Sequence, residues 1–226
     1  EDFRPLSPAQ EELFAVRQIH PDEPYFHVQV IFKVGSANPA LMQEALTQVV
    51  LKNRSLRTVF RRTTEGWEQG EGEAEEIEFL PVAVESEAQA RSVIGAHALR
   101  PFKEGTRWCR FVLACLPDGS GCLGAVFHHM IFDGGSVQPF FTQIFEEYTA
   151  HRPCAAPSGN EERVSYRHSR AGSSASLEYW KDLLSEAPEF LRLSGEECPR
   201  GPLSGAPEIF ETKFSSEIAS QLRAVA

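Results

Sequence analysis

Apolar positions along this 226-residue chain follow two periods, and the switches between them mark out its elements. Tyr25 to Val34 is the first strand: aromatic and β-branched residues dominate it, and Pro24 and Gly35 bound it. Asn38-Pro39 then supplies a helix cap and a first-turn proline. Leu41, Met42, Ala45, Leu46, Val49 and Val50 follow at helical spacing, which predicts an amphipathic helix to about Arg54. Thr58 to Thr63 reads as a strand that turns at Glu65-Gly66 before Trp67. The glutamate-rich stretch 65–78 is expected to be an exposed, solvated hairpin or loop. Ile77 to Val84 is a further strand. Ser86, with Gln89 three residues on, has capping-box spacing and opens a helix that closes before Pro101.

The next stretch is the most informative. Trp108 to Leu116 is a strand, Pro117-Asp118-Gly119-Ser120-Gly121 is turn chemistry, and Cys122 to Phe127 returns as a second strand. That strand is almost wholly apolar, which predicts a central position covered on both faces. His128-His129 stands at its end. Gly134-Gly135-Ser136 breaks the chain, and Val137, Phe140, Phe141, Ile144, Phe145 and Tyr148 form the stripe of a helix. Residues 153–176 have no period and read as a linker or an ordered crossing segment. A helix is expected from near Ser176, with Leu177, Trp180, Leu183 and Leu184, to just before Pro188. Ile209 to Phe214 follows as a strand, and Ser215 or Ser216 caps a final helix. There is no internal repeat.

Composition narrows the function. With 42% hydrophobic and 24% charged residues the chain is ordinary globular protein, long enough to bury a core without a covalent or metal staple. A net charge of −10 argues against nucleic acid, whose phosphates require a basic stripe. No uncharged apolar run reaches the ~18 residues of a membrane span, so no membrane partner is expected. The opening Glu1-Asp2-Phe3-Arg4 lacks both a signal-peptide pattern and a Met, which points to an excised segment of something longer. Cysteines 109, 115, 122, 154 and 198 are odd in number and lack ligand spacing. They read as small buried thiols in a reducing, cytoplasmic setting, although Cys115 and Cys122 are placed to face each other across the turn.

Two adjacent histidines at a strand end point to opposite sides, so one faces a cavity and the other packs. Asp133, four residues after His129, precedes two glycines, and the sharp turn there can hold one imidazole in a channel with its tautomer set by a backbone carbonyl. An imidazole suits removal of a proton from an attacking amine or hydroxyl, or stabilisation of an oxyanion. From these residues alone a structural histidine and a metal ligand stay open beside the catalytic reading. No third ligand lies nearby at useful spacing.

Several separated motifs decide between them. Leu6-Ser7-Pro8-Ala9-Gln10, Leu56-Arg57-Thr58-Val59-Phe60, Arg100-Pro101-Phe102 followed by Arg107 to Leu113, His128-His129-Met130-Ile131-Phe132-Asp133-Gly134, and Tyr179-Trp180 with Leu183, Leu184 and Ala187-Pro188 occur in that order. Together they resemble the condensation domains of nonribosomal peptide synthetases, within the chloramphenicol-acetyltransferase-like superfamily. The resemblance implies an α+β fold, an α/β sandwich with helices packed on a mixed sheet. It implies an N-terminal lobe over 1–173 and the beginning of a second lobe over 174–226.

The resemblance also implies an acyltransferase of natural-product biosynthesis. It would join an acyl or peptidyl thioester on one carrier protein to the amine of an aminoacyl thioester on another. His129 would be the catalytic residue and His128 its packing partner. Asp133 would hold the loop through an ion pair with an arginine, Gly134 would permit the turn and the approach of substrate, and Arg57 would support the site. No cofactor is implied as bound directly, since 4′-phosphopantetheine arms deliver the substrates. The partners implied are the upstream and downstream carrier proteins and neighbouring domains such as an adenylation domain.

The chain departs from the family pattern in three places. Lys52-Asn53-Arg54-Ser55 stands where Arg-His-Glu-x is usual, Glu12 and Phe14 where Arg and Trp are usual, and a Tyr-x-Asp-Tyr-Ala motif survives only as Tyr166 with His168 and Ser169. Its length fits one lobe and the opening of the next, so the isolated chain is expected to be inactive. The alternatives are a free-standing thioester-dependent O-acyltransferase, an epimerisation domain, and a degenerate, non-catalytic docking module for carrier proteins.

Overall fold

Ser7 caps the first helix. From residue 27 on the chain follows the main strands and helices that the apolar pattern predicts, while the strand and helix before it are added by the structure. The structure is a computed structural model and describes residues 3–20, 23–64, 66–72, 77–150, 173–187 and 213–225. The chain falls into two compact units, Glu1–His168 and Ser169–Ala226. In the first unit β1 (Arg4–Pro5), α1 (Pro8–Ile19), β2 (His27–Val34) and α2 (Pro39–Lys52) lead through a short 3-10 turn (Arg54–Arg57) to β3 (Thr58–Thr63) and β4 (Gly66–Glu71). Then come β5 (Phe79–Ala83), α3 (Glu87–Ala98), β6 (Cys109–Cys115), β7 (Gly121–His128), a 3-10 turn (Gly134–Ser136) and α4 (Val137–Ala150). The second unit contributes α5 (Ser173–Leu183) and α6 (Ser216–Val225). Residues 151–172, most of the expected linker, and 209–212 of the expected last strand lie outside the described residues.

The main sheet is mixed, with order β2-β7-β6-β5; only β5, against β6, is parallel. All eight residues of β7 are buried, as its apolar run requires. On one side Phe111, Leu113, Leu123 and Phe127 pack with α2 and α4 through Leu46, Val49, Phe140 and Ile144. On the other, Val112, Ala114 and Cys122 meet Ala90 and Ile94 of α3. The small sheet, β1-β4-β3, is antiparallel.

Three expectations change. The stretch after Glu65 is a hairpin, but β4 is the centre of the small sheet and Gln69 is only 6% exposed, its amide paired with Gln10 of α1. Cys115 pairs with Gly121 and Cys122 with Ala114, a one-residue offset that places the two thiols on opposite faces. Cys109, Cys115 and Cys122 are all free. At α3 the box is only half formed. Ser86 Oγ accepts from Gln89 N, but Gln89 Oε1 takes the N–H of Glu85. The reciprocal capping box occurs instead at α1, between Ser7 and Gln10.

Close approach of α3 to the sheet depends on Gly124, in the middle of β7. A Cβ there would lie 2.4 Å from Ile94 Cγ2 and 2.7 Å from Ile94 Cγ1, and Ile94 has no exposed surface into which to move. Gly124→Ala is therefore expected to lower the unfolding free energy by about 1–3 kcal/mol in urea titrations. An unchanged midpoint would show that the seam is looser than this.

Candidate active site

The pair of histidines is placed by backbone hydrogen bonds from both neighbouring strands. His128 N–H donates to Trp108 O (2.9 Å), and His129 N–H donates to Phe26 O (2.8 Å). The chain then dives into the core. Met130, Ile131 and Phe132 are buried, and Phe132 stacks on Phe127 with ring centroids 3.8 Å apart and meets Phe140 edge-on. Three consecutive buried residues leave the two ends of the turn, His129 and Asp133, exposed. A buried triplet between two polar residues thus presents both on the surface.

His128 is a packing residue. It is 3% exposed, its ring lies 4.5 Å from Trp108, and its Nδ1 accepts the N–H of Met130 (3.2 Å), which fixes the proton on Nε2. Burial pushes its pKa down to about 3, and the nearby His27, Arg17 and His129 act in the same direction. It is neutral in the native state. His27, its partner across the β2–β7 ladder, adopts the other tautomer because its Nδ1 lies 2.6 Å from Ala98 O and must donate. Its pKa is also lowered, by burial first, against the effect of that hydrogen bond. Of these three imidazoles only that of His129 is exposed.

Asp133 secures the exit of the turn without an arginine. Its Oδ1 accepts from Ser136 N (2.8 Å) and Ser136 Oγ (2.6 Å), so among the described residues the ion pair implied by the resemblance is replaced by a helix-entry cap. These two hydrogen bonds hold its carboxyl below the usual range, and His129 adds to the effect. Gly134 does not have a left-handed φ, and a Cβ there would meet nothing within 4 Å, so the turn itself does not demand glycine. Arg57 supports the scaffold rather than the turn. Its buried guanidinium donates to Val50 O (3.2 Å) and Leu51 O at the end of α2 and pairs with Glu71 of β4.

Register and packing bring together residues that the motifs do not. Gln10 and Gln69 form a reciprocal amide pair, Gln10 Nε2 to Gln69 Oε1 at 3.0 Å and Gln69 Nε2 to Gln10 Oε1 at 2.8 Å. The second Gln10 N–H reaches Met130 O at 3.2 Å, so the α1 cap is tied to the residue that follows His129. His27 and Gln69 were invisible as site residues because only strand pairing places them there. The unusual stretch after α2 is fully used. Lys52 pairs with Glu147, Asn53 Nδ2 donates to Gln143 Oε1 (2.7 Å), and Arg54 Nε lies 3.4 Å from Glu71. Phe14 is buried against Trp67, Phe60 and Trp108.

Comparison with known proteins gives a family and a fold. The sequence model of the family described as "Condensation domain" matches residues 1–226. The chain is 25% identical over 238 residues to a linear gramicidin synthase of Brevibacillus parabrevis, covering 97% of this chain and 3% of that protein. It is 29% identical over 145 residues to the phosphinothricin tripeptide synthetase PhsC of Streptomyces viridochromogenes, covering 59% of this chain and 13% of that protein. In structure it is similar to the first condensation domain of the calcium-dependent antibiotic synthetase in complex with a substrate analogue. That match has a TM-score of 0.72 at 18% identity and covers 88% of this chain and 51% of that one. The starter condensation domain of the rhizomide synthetase RzmA gives a TM-score of 0.62 at 20% identity, over 67% of this chain and 38% of that one. At these identities the structural likeness is one of fold, and it agrees with the α+β arrangement implied by the motifs. The chain spans about half or less of the solved chains and a small part of the curated relatives.

Two outcomes follow from the site. Because the native pKa of His128 lies far below its unfolded value, the unfolded chain binds the extra proton first, and stability falls as pH drops below about 6.5. Urea unfolding of the wild type and of His128→Gln at a series of pH values between about 6.5 and 5 should show a slope smaller by up to ~1.4 kcal/mol per pH unit in the variant. Equal slopes would mean that His128 is not buried neutral. Gln10→Leu leaves Gln69 without its amide partner, and should cost about 1–2 kcal/mol and speed hydrogen exchange at His129 and Ile131. Exchange unchanged at both amides would remove the tie.

Proposed function

The chain belongs to the condensation-domain family, and we propose that it carries the His129 side of an amide-forming centre in a longer synthetase. In this reading the amine of an aminoacyl thioester on one carrier protein attacks the carbonyl of an acyl or peptidyl thioester on another. The C–N bond forms, the C–S bond breaks, and the donor arm leaves as a thiol. His129 takes the proton of the attacking amine or steadies the tetrahedral oxyanion through its N–H. The observation that carries the proposal is the exposed His129 imidazole on a strand end fixed from both sides, with every other residue of the motif up to Phe132 packed.

The substrates arrive on 4′-phosphopantetheine arms, and the partners are the two carrier proteins together with neighbouring domains such as an adenylation domain. The peptide synthetases among the relatives support that class. Asp133 acts as the cap that holds the turn, His128 as packing, and Gly134 as open space beside the histidine. We take residues 1–173 as the lobe bearing the turn and 174–226 as the opening of a second lobe, a reading supported by the division into Glu1–His168 and Ser169–Ala226. A reducing, cytoplasmic setting fits the free thiols of Cys109, Cys115 and Cys122 among the described residues.

Among the described residues of its own unit, His129 is exposed rather than enclosed in a dry surround, so the isolated 226-residue chain is expected not to turn over. The docking-platform alternative loses its particular support, since Lys52, Asn53 and Arg54 are all engaged in the scaffold. In the longer synthetase, His129→Ala should lower amide formation by roughly 10²–10⁴-fold with carrier-protein binding intact. Full product formation by that variant would overturn the catalytic assignment.

A further inference from the structure

A cavity of about 360 Å³ opens where β6 begins, walled by Glu78, Arg100, Phe102, Lys103, Arg107 and Arg110. The whole chain carries a net charge of −10, yet here four cations face one carboxylate. Arg110 is the built part of the site. Its side chain is 2% exposed, and its two terminal nitrogens donate to His97 O (3.1 Å), Arg100 O (2.8 Å) and Pro101 O (3.2 Å). The guanidinium lies 3.9 Å from the centre of the Phe102 ring. The remaining donor, Nε, is buried without a hydrogen-bond partner, since Glu78 Oε2 stands off at 3.9 Å, and the other oxygen of that carboxylate is held by Arg100. A buried cationic donor without an acceptor costs stability unless a water or an anion reaches it.

The chemistry wanted is a compact anion with several acceptor oxygens. A phosphate group fits, because it engages arginine forks and a lysine at once. The location matters as much as the charge. Cys109 pairs with Phe127, so β6 begins at the same end of the sheet as His128 and His129. The Phe102 ring touches both sites: Arg110 lies over it, and His27 meets it edge-on with centroids 4.8 Å apart. An anion held here therefore sits one aromatic ring away from the imidazole cluster.

We propose that this cavity binds a phosphate group, and that its source is the phosphodiester of a pantetheine arm. The identification of the source rests on the carrier-arm reading above, whereas the anion site stands on Arg110 and its neighbours alone. The test is a titration of the 226-residue chain at low salt with coenzyme A, inorganic phosphate and phosphate-free pantetheine. It is followed by NMR at the arginine Nε–Hε resonances.

Coenzyme A and phosphate should shift the Arg110 signal and pantetheine should not. Lys103→Gln combined with Arg107→Gln should weaken coenzyme A binding at least about tenfold. Should the double variant not fold, Lys103→Gln alone, at an exposed side chain, is expected to weaken binding about threefold. Equal shifts by pantetheine, no shift by any of the three, or variants that bind coenzyme A like the wild type would overturn the anion site. Binding of inorganic phosphate without coenzyme A would overturn the arm as its source. Loss of coenzyme A binding here leaves the His129→Ala assay untouched, and full activity of His129→Ala leaves this titration untouched, so the two readings fail separately.

Discussion

Everything in the first unit depends on burying one strand from both sides. β7 offers no polar side chain until His128, and only helices on each face of the sheet can keep it dry. That need fixes α2 and α4 on one face and α3 on the other, with Gly124 setting how closely α3 approaches. The end of the strand inherits the rigidity. Hydrogen bonds to Trp108 and Phe26 hold the two histidines, and the burial of Met130, Ile131 and Phe132 forces the chain straight back into the core. His129 is exposed because its neighbours on either side cannot be.

Much of this was legible along the chain, and the reason differs from element to element. Helix α2 carried its own period and cap, α3 its cap and a closing proline, and α4 its apolar stripe, while β3, β6 and β7 had turn residues at their ends, so local rules were enough. The opposite fates of His128 and His129 also followed from the alternation of side chains along a strand. What local rules missed is non-local. The glutamate-rich composition around β4 suggested solvent, yet its place in the middle of a three-stranded sheet buries Gln69. The Gln10–Gln69 pair joins residues 59 positions apart, and Gln10 reaches Met130 across 120. His27 comes beside His128 only through the register of β2 on β7. The arginine expected at Asp133 was a matter of resemblance, and among the described residues a serine three positions on holds that carboxylate.

Electrostatics sort the imidazoles as firmly as packing does. Protonating His128 would place a charge against Trp108 and Phe102 with Arg17 and His27 nearby, so burial and like charge act together. Its one acceptor nitrogen is occupied by Met130 N–H, and His27 must donate to Ala98 O. Two neutral rings of opposite tautomer therefore form the floor behind His129. A floor that stays uncharged adds no competing proton to the chemistry in front of it.

The departures from the family pattern bear on the same question. Lys52, Asn53 and Arg54 lie at the end of α2 and bond to Glu147 and Gln143 of α4 and to Glu71 of β4; Phe14 fills a pocket among Trp67, Phe60 and Trp108. Lys52, Asn53, Arg54 and Phe14 thus have partners in the scaffold, along the seam between α2, α4 and the small sheet. Beside the replaced acid, Arg57 draws its counter-charge from Glu71. These positions pack around the strand that ends in the histidine pair, and the imidazole of His129 stays exposed at its end.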